Sequence, residues 1–411
     1  MAGWLTARRL RAHGTILALC LWSLYIWNVA TPTLRDRSGN LKGTDFLHFY
    51  TLGSLALEHN GADLYDMKAQ AAVAVERVPD AAGIRYLPLY PPQVSILFAP
   101  FALLPYAWAL SLWWLLNSAA YAACCYAVFR ACPNLQRFGG TAVVLAVAYP
   151  AFFHLIAWGQ TSGLALISFT AMFFLLNSRR EFSAGMALGL LIFKPQLGLV
   201  AAILFLSVGA WKVLAGALAS ASAELAAGVL YYGTGPLREW IHVLWNLPVL
   251  MRSLEPKPYQ THSLRSFWSM LLPWSRVSLS LYVISGVIVL ALTVACWRRR
   301  SLPLSVRYSS LLFASVLVAP HLTVYDLVIL VPAIFLLSDW LVGQEPGRMT
   351  WWVGTLLYLV YALPLLGPVT RYTHVQLSVI AMAAVLYLVW RSSGAARTLS
   401  DDVSAAAALR G

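Results

Sequence analysis

The run PPQVSILFAPFALL, residues 91–104, decides how the rest of this 411-residue chain is threaded. It is apolar and opens on two prolines, which pre-set φ for a helix start. As an α-helix its 14 residues rise about 21 Å, short of the ~30 Å hydrocarbon core of a bilayer. Counting it as a crossing would also put NSRRE (177–181) outside and APHLTVYD (319–326) inside, against the basic-residue bias that orients membrane helices. The run therefore reads as a re-entrant or half-depth helix on the outer side of a membrane.

The flanking sequence makes the membrane itself plain. Hydrophobic residues are 60% of the chain, charged residues 11%, and the mean hydropathy is +0.69. Soluble domains carry about 25% charged residues, so a soluble fold is excluded. Apolar runs near 20 residues recur between short polar or basic breaks, the pattern of an all-α polytopic membrane protein. Twelve spans are expected, at about 14–32, 106–129, 138–157, 162–178, 183–194, 196–209, 213–233, 277–297, 303–319, 322–342, 349–368 and 374–391. The run after ARRLRAHG is not followed by a small-residue cleavage site and reads as a retained span. The whole chain, 1–411, is taken as one transmembrane domain with two long outer loops, 33–105 and 234–276. The break at Lys194-Pro195-Gln196 leaves two short spans and is expected to dip below the outer surface.

The net charge of +13 does not point to nucleic acid, because the basic residues flank apolar runs. Arg8, Arg9, Arg11, Arg179, Arg180 and Arg298 to Arg300 give the positive-inside signal and place both termini in the cytoplasm. The five cysteines show no CxxC spacing, so neither a disulfide framework nor a zinc site is indicated. There is no Walker loop and no dinucleotide GxGxxG, so no nucleotide cofactor is expected.

Acidic residues are concentrated instead. Seven of the sixteen lie between 31 and 90, in the loop that contains GTDFLHFYTLGSLALEHNGADLYD (43–66). Thr44 reads as the N-cap of a helix running to about 59, with Phe46, Phe49, Tyr50, Gly53 and Leu57 on one face, lying on the membrane surface. Asp45 in its first turn reads either as a dipole partner or as a general base tuned by burial. His48, three residues on, either orients Asp45 or faces water. Asp63 and Asp66 flank Tyr65 after an Asn-Gly turn signal and read as caps of the next helix. LYPPQ (89–93) sets Tyr90 and Gln93 at the membrane entry, and WGQTS (158–162) puts Gln160 in a very short outer turn. FKPQ places Lys194 and Gln196 at a broken helix, where a lysine needs an anionic partner or snorkels. His321 and Asp326 in APHLTVYD lie five apart, which is not a two-ligand helical spacing, so no metal site is indicated. His321 reads as a phosphate or substrate ligand or as a structural histidine. The second long loop mixes Trp240, Trp245, Tyr259 and Trp268 with Arg252, Lys257, His262 and Arg265, suiting an interface belt or a sugar acceptor.

Taken in order, GTDFLHFYTLGSLALEHNGADLYD, YPPQVSILFAPFALLPYAWALSLWWLLN, GQTSGLALISF, AGMALGLLIFKPQLGLV and APHLTVYDLVILVPAI resemble glycosyltransferase family 87 over residues 14 to 340. This is a group of polyprenol-phosphate-mannose-dependent mannosyltransferases of the GT-C class. The resemblance implies a multi-pass enzyme of a bacterial plasma membrane with an extracytoplasmic active site and a polyprenyl-phosphate-sugar donor. Its acceptor would be a glycolipid or an envelope glycan. The family's catalytic Asp falls on Asp45, with Lys194 and His321 at positions that meet the donor phosphate. Tyr65, Tyr90, Gln93, Gln160, Gln196 and Asp326 fall on further polar positions, and His48, His262 and Arg265 complete the expected binding shell. No metal is required if protein cations neutralise the phosphate. A transporter or flippase of polyprenyl-linked sugars is the rival reading, since it too would show broken helices and an intramembrane lysine.

Overall fold

The computed structural model describes residues 5–247 and 257–408, with side chains to residue 392; Arg252 lies outside the described residues. It is helical throughout, and among the described residues the only strand-like pairings are two isolated bridges, Arg35 with Leu41 and Thr261 with Thr323. A chain buried in lipid has no water to satisfy backbone N–H and C=O groups, so the apolar runs close their hydrogen bonds internally as helices.

Each of the twelve expected segments is helical, but their lengths differ. Among the described residues six stretches are long and apolar enough to cross a membrane: Ala7–Val29, Tyr106–Arg130, Trp211–Tyr232, Ser275–Arg298, Val324–Val342 and Arg348–Thr373. Pro133–Val147 and Pro150–Trp158 form a seventh if the pair, bent by 42°, is one span. Ser162–Asn177, Glu181–Phe193, Pro195–Ser207, Leu304–Val318 and Leu377–Ser392 are apolar but shorter. Sequence alone assigned twelve crossings by hydropathy; helix length supports six or seven. Leu304–Val318 is buried from Tyr308 through Leu317, so its apolar run reflects a place at the centre of the bundle rather than contact with lipid.

The run that opened the sequence reading is the helix Gln93–Ala102, about 15 Å long at 1.5 Å per residue. Its end is held by the Arg77 guanidinium, which donates to the Ala102 carbonyl at 2.7 Å, and by the Tyr50 hydroxyl on the Leu104 carbonyl at 2.8 Å. It packs on the helix Thr44–Leu57 through an aromatic cluster in which Phe49 and Phe98 stack at 4.9 Å and Phe98 meets Trp113 edge-on at 4.9 Å.

That contact corrects the surface-helix expectation. Thr44–Leu57 is buried on every side from Phe46 through Ala56, not along one apolar stripe. Its N-cap is Gly43 rather than Thr44; Gly43 is left-handed, and the Thr44 hydroxyl donates to the Leu41 carbonyl at 2.8 Å. The capping role of Asp66 follows expectation, its carboxylate accepting from the Lys68 and Ala69 amides at the start of Met67–Arg77.

Candidate active site

Asp45 is positioned before its own side chain is considered. The chain enters the helix Thr44–Leu57 through Gly43 at φ +62°, a left-handed conformation that an L side chain strains to adopt. The Tyr106 hydroxyl donates to the Lys42 and Gly43 carbonyls at 2.8 and 3.0 Å, and the Tyr86 hydroxyl donates to the Thr44 carbonyl. The Gly43 carbonyl also accepts from the Phe46 and Leu47 amides at 2.8 and 3.3 Å, so the two tyrosines add bonds across the helix entry and brace the first turn, where Asp45 sits.

The facing wall is the WGQTS turn. Gly159 at φ +71° ends the helix Pro150–Trp158, and a Cβ there would sit 2.7 Å from the Cβ of Phe46. The turn can approach the Asp45 helix this closely only because residue 159 is glycine. The Trp113 indole donates to the Gly159 carbonyl at 3.0 Å and the Asn117 amide to the Gln160 carbonyl at 3.3 Å. Gln160 is thereby aimed at Asp45, and its Nε2 donates to Asp45 Oδ2 at 2.6 Å.

A continuous hydrogen-bonded chain runs on from there. Gln160 Oε1 accepts from the Thr161 amide at 3.2 Å and from Lys194 Nζ at 3.3 Å. Lys194 occupies the break between the 3₁₀ turn Leu190–Phe193 and the helix Pro195–Ser207, where Pro195 ends the local hydrogen-bond ladder. Its Nζ also donates to Ser162 Oγ at 3.0 Å and to Asp326 Oδ1 at 2.9 Å, and lies 5.2 Å over the Tyr325 ring. Asp326 Oδ1 accepts from Ser162 at 2.5 Å, while Oδ2 accepts from the Thr323 amide and hydroxyl, each at 3.1 Å. The Thr323 amide bond is one half of a capping box at the start of Val324–Leu330, the other half being the Thr323 side chain accepting from the Asp326 amide.

Lys194 and Asp326 are both buried, and each is fully engaged. An ammonium has three protons, and Lys194 gives them to Gln160, Ser162 and Asp326. The pair is neutral, so the negative charge of Asp45 is met by one amide and by a cation already shared with another carboxylate. Burial pushes the Asp45 carboxyl up from 3.8 to about 6, the Gln160 bond and the Lys194 charge pulling it back down and Asp326 raising it further. It nevertheless keeps partial surface exposure. A carboxylate titrating near 6 is ionised at neutral pH and remains basic enough to take a proton.

Tyr90 joins this group. Its phenol feels the charges of Lys194, Asp326 and Asp45, and burial pushes its pKa up, keeping it a neutral donor. Sequence-expected residues therefore converge here from five separate segments: Asp45, Tyr90, Gln160, Lys194 and Asp326.

Other expected residues lie elsewhere. His48 is buried against Tyr86 and Tyr90, with ring centroids 4.8 and 5.6 Å apart, and neither ring nitrogen has a hydrogen-bond partner. Burial pushes its pKa down to about 3, so it is neutral and neither orients Asp45 nor faces water. Tyr65 donates to the Tyr90 carbonyl at 3.0 Å and packs with Leu52, Leu55 and Leu64, supporting the site from behind. Gln93 is buried beside Glu224 of Trp211–Tyr232. Gln196 is half-buried in the first turn of Pro195–Ser207, outside the bonded chain. His262 is buried with Nδ1 on Ser378 Oγ at 2.7 Å and its amide on the Leu322 carbonyl at 3.0 Å. Arg265 donates to the Pro320 carbonyl at 3.1 Å. These two residues fasten the second long loop to 320–322. His321, half-buried, sits within that fastened segment two residues before Thr323. Sequence reasoning passed over Ser162, Thr323 and Tyr325. The first two were legible only as hydroxyls flanking apolar runs. Among the described residues no three His, Cys, Asp or Glu side chains cluster as metal ligands.

Comparison with curated proteins and with solved structures finds no match. The family model described as glycosyltransferase family 87 matches residues 89–323, more than half of the 411 residues. The matched stretch holds Tyr90, Gln160 and Lys194 of the bonded chain, while Asp45 and Asp326 lie outside its limits. On that match, and on a fold whose described residues are helical with six or seven helices able to span a bilayer, this chain belongs to glycosyltransferase family 87.

Proposed function

We propose that this membrane glycosyltransferase moves mannose from a polyprenyl-phosphate carrier to a hydroxyl of a glycolipid or envelope glycan, with inversion, and that Asp45 is the general base. The reading places the reaction at the extracytoplasmic face of a bacterial plasma membrane, in a GT-C architecture. Mannose and the polyprenyl carrier rest on the family resemblance in the sequence.

The observation that supports Asp45 most is its environment. The carboxylate is anchored at one oxygen by Gln160 and backed by a neutral Lys194–Asp326 pair. One oxygen is held and the other is left for a substrate proton. In the proposed step the acceptor oxygen attacks the anomeric carbon while its proton passes to Asp45. The anomeric C–O bond to phosphate breaks, and its electron pair leaves with the polyprenyl phosphate. Positioned proton transfer of this kind contributes about 10²–10⁴ in rate.

The test is transfer of radiolabelled mannose from polyprenyl-phosphate-mannose by the purified full-length chain in detergent, beside Asp45→Asn. Transfer by the wild type that falls at least a hundredfold in the variant supports the reading. Equal transfer by both removes Asp45 from the base role. Sugar-lipid movement across a vesicle membrane without transfer would favour the flippase.

A further inference from the structure

The family resemblance implies Lys194 and His321 as the residues that meet the donor phosphate, but the geometry leaves the Lys194 ammonium no spare proton, since all three are given to Gln160, Ser162 and Asp326. A phosphate that departs from the sugar still needs cations, and they must lie within reach of Asp45.

A cavity of about 440 Å³ supplies them. Lys257, Arg371 and His374 line it together with Tyr259 and Thr370, and none of its lining residues is acidic. Its walls are fixed against each other. The Thr370 hydroxyl donates to Gln376 Oε1 at 3.0 Å, and Gln376 Nε2 donates to the Tyr259 carbonyl at 3.2 Å and to the Thr261 carbonyl. The Arg371 guanidinium lies 6.0 Å over the Tyr259 ring, which pre-orders it.

The cavity also adjoins the site already described. Lys257 Nζ lies 5.8 Å over the Trp158 ring, two residues before Gln160, whose amide holds Asp45. Its charge is near enough to favour the ionised form of Asp45. Asp45 and Lys257 thus flank the same WGQTS turn.

We propose that this basic cavity seats the phosphate of the lipid-linked substrate, bound by Lys257 and Arg371, and that Lys194 acts on Asp45 through Gln160 instead of on the phosphate. The inference rests on the transferase reading above. It assigns the charges by chemistry: planar guanidinium and compact ammonium are the two side chains that grip phosphate oxygens. The donor is a phosphodiester with one negative charge. When the C–O bond breaks, the electron pair stays on phosphorus-bound oxygen, and the monoester left behind carries up to one charge more. The cations therefore hold the departing group more tightly than the intact donor.

Polyprenyl monophosphate is the probe, titrated in mixed micelles against the full-length protein and read by tryptophan fluorescence, with the uncharged polyprenol as blank. Lys257→Gln and Arg371→Gln are each expected to weaken binding about tenfold, and the double variant about a hundredfold, since exposed cations are partly screened. Lys257→Arg restores it, and thermal midpoints matching wild type show that the variants fold. Asp45→Asn keeps full affinity while losing transfer. Affinity unchanged in the double variant, wild type that does not bind the probe, or competition by phosphatidic acid as strong as by the polyprenyl phosphate each overturns the assignment. Whether the wild type transfers mannose is read separately, so failure of this cavity and failure of the transferase reading give different results.

Discussion

Replacing Asp45 by Asn removes the charge whose burial this site maintains, and the structure gives a sign and a size for the result. The folded carboxyl is raised from 3.8 to about 6. A raised acid binds its proton more tightly in the folded state, so it costs nothing below pH 3.8. The cost grows as pH climbs through about 6 and is constant above. At 1.36 kcal/mol per unit the full penalty is about 3 kcal/mol, an upper value because Asp45 keeps some solvent contact. Asn keeps the acceptor that Gln160 needs and carries no charge. The variant should therefore lose transfer by a factor on the order of 10²–10⁴ and yet unfold a few degrees higher than wild type at pH 8. That gap should close by pH 4. The assay is a thermal unfolding series in detergent at pH 4, 6 and 8 for both proteins, beside mannose transfer at pH 8. A stability difference that does not change with pH, or a variant that is less stable at pH 8, would refute the view that Asp45 is held against the cost of its burial.

Other outcomes follow from the bonded chain. Wild-type kcat/KM should fall as pH drops through about 6, and Gln160→Ala should move this acid limb to higher pH, because the amide bond that lowers the Asp45 carboxyl is lost; a pH–rate profile decides it. Lys194→Met leaves Asp326 buried without its cation and should cost roughly 3–5 kcal/mol in stability, while Lys194→Met with Asp326→Leu regains much of it. Thermal midpoints and expression yield measure both; a double variant as unstable as the single one would show that the ion pair is not the coupled unit. His48→Phe keeps a ring between Tyr86 and Tyr90 and gives up no hydrogen bond, so transfer should stay within about threefold of wild type, as initial rates would show.

The site was unevenly legible. Asp45, Gln160 and Lys194 stand out because a polar residue beside or between apolar runs has no reason of composition to be there. Their roles were less legible. Lys194 needed an anion, and the sequence offered lipid phosphate or snorkelling; the fold supplies Asp326, 132 positions away. His48 sits one helical turn from Asp45, and spacing alone suggested a pair. Its burial among tyrosines, with no hydrogen bond, comes from the packing of Tyr86 and Tyr90 over the helix, which periodicity does not encode.

By itself the sequence determined that this chain is helical and lives in a membrane, because hydropathy and charge placement are sums over neighbouring residues and need no partner. It also showed that the run 91–104 is too short to cross a bilayer as a helix, since helix rise per residue is fixed. Only the tertiary structure decided which apolar helices meet lipid and which, like Leu304–Val318, are wrapped by others, because both environments select the same side chains. It alone decided which cation faces which carboxylate. Those contacts join segments more than a hundred residues apart, and their strength depends on distance and burial, which no local pattern carries.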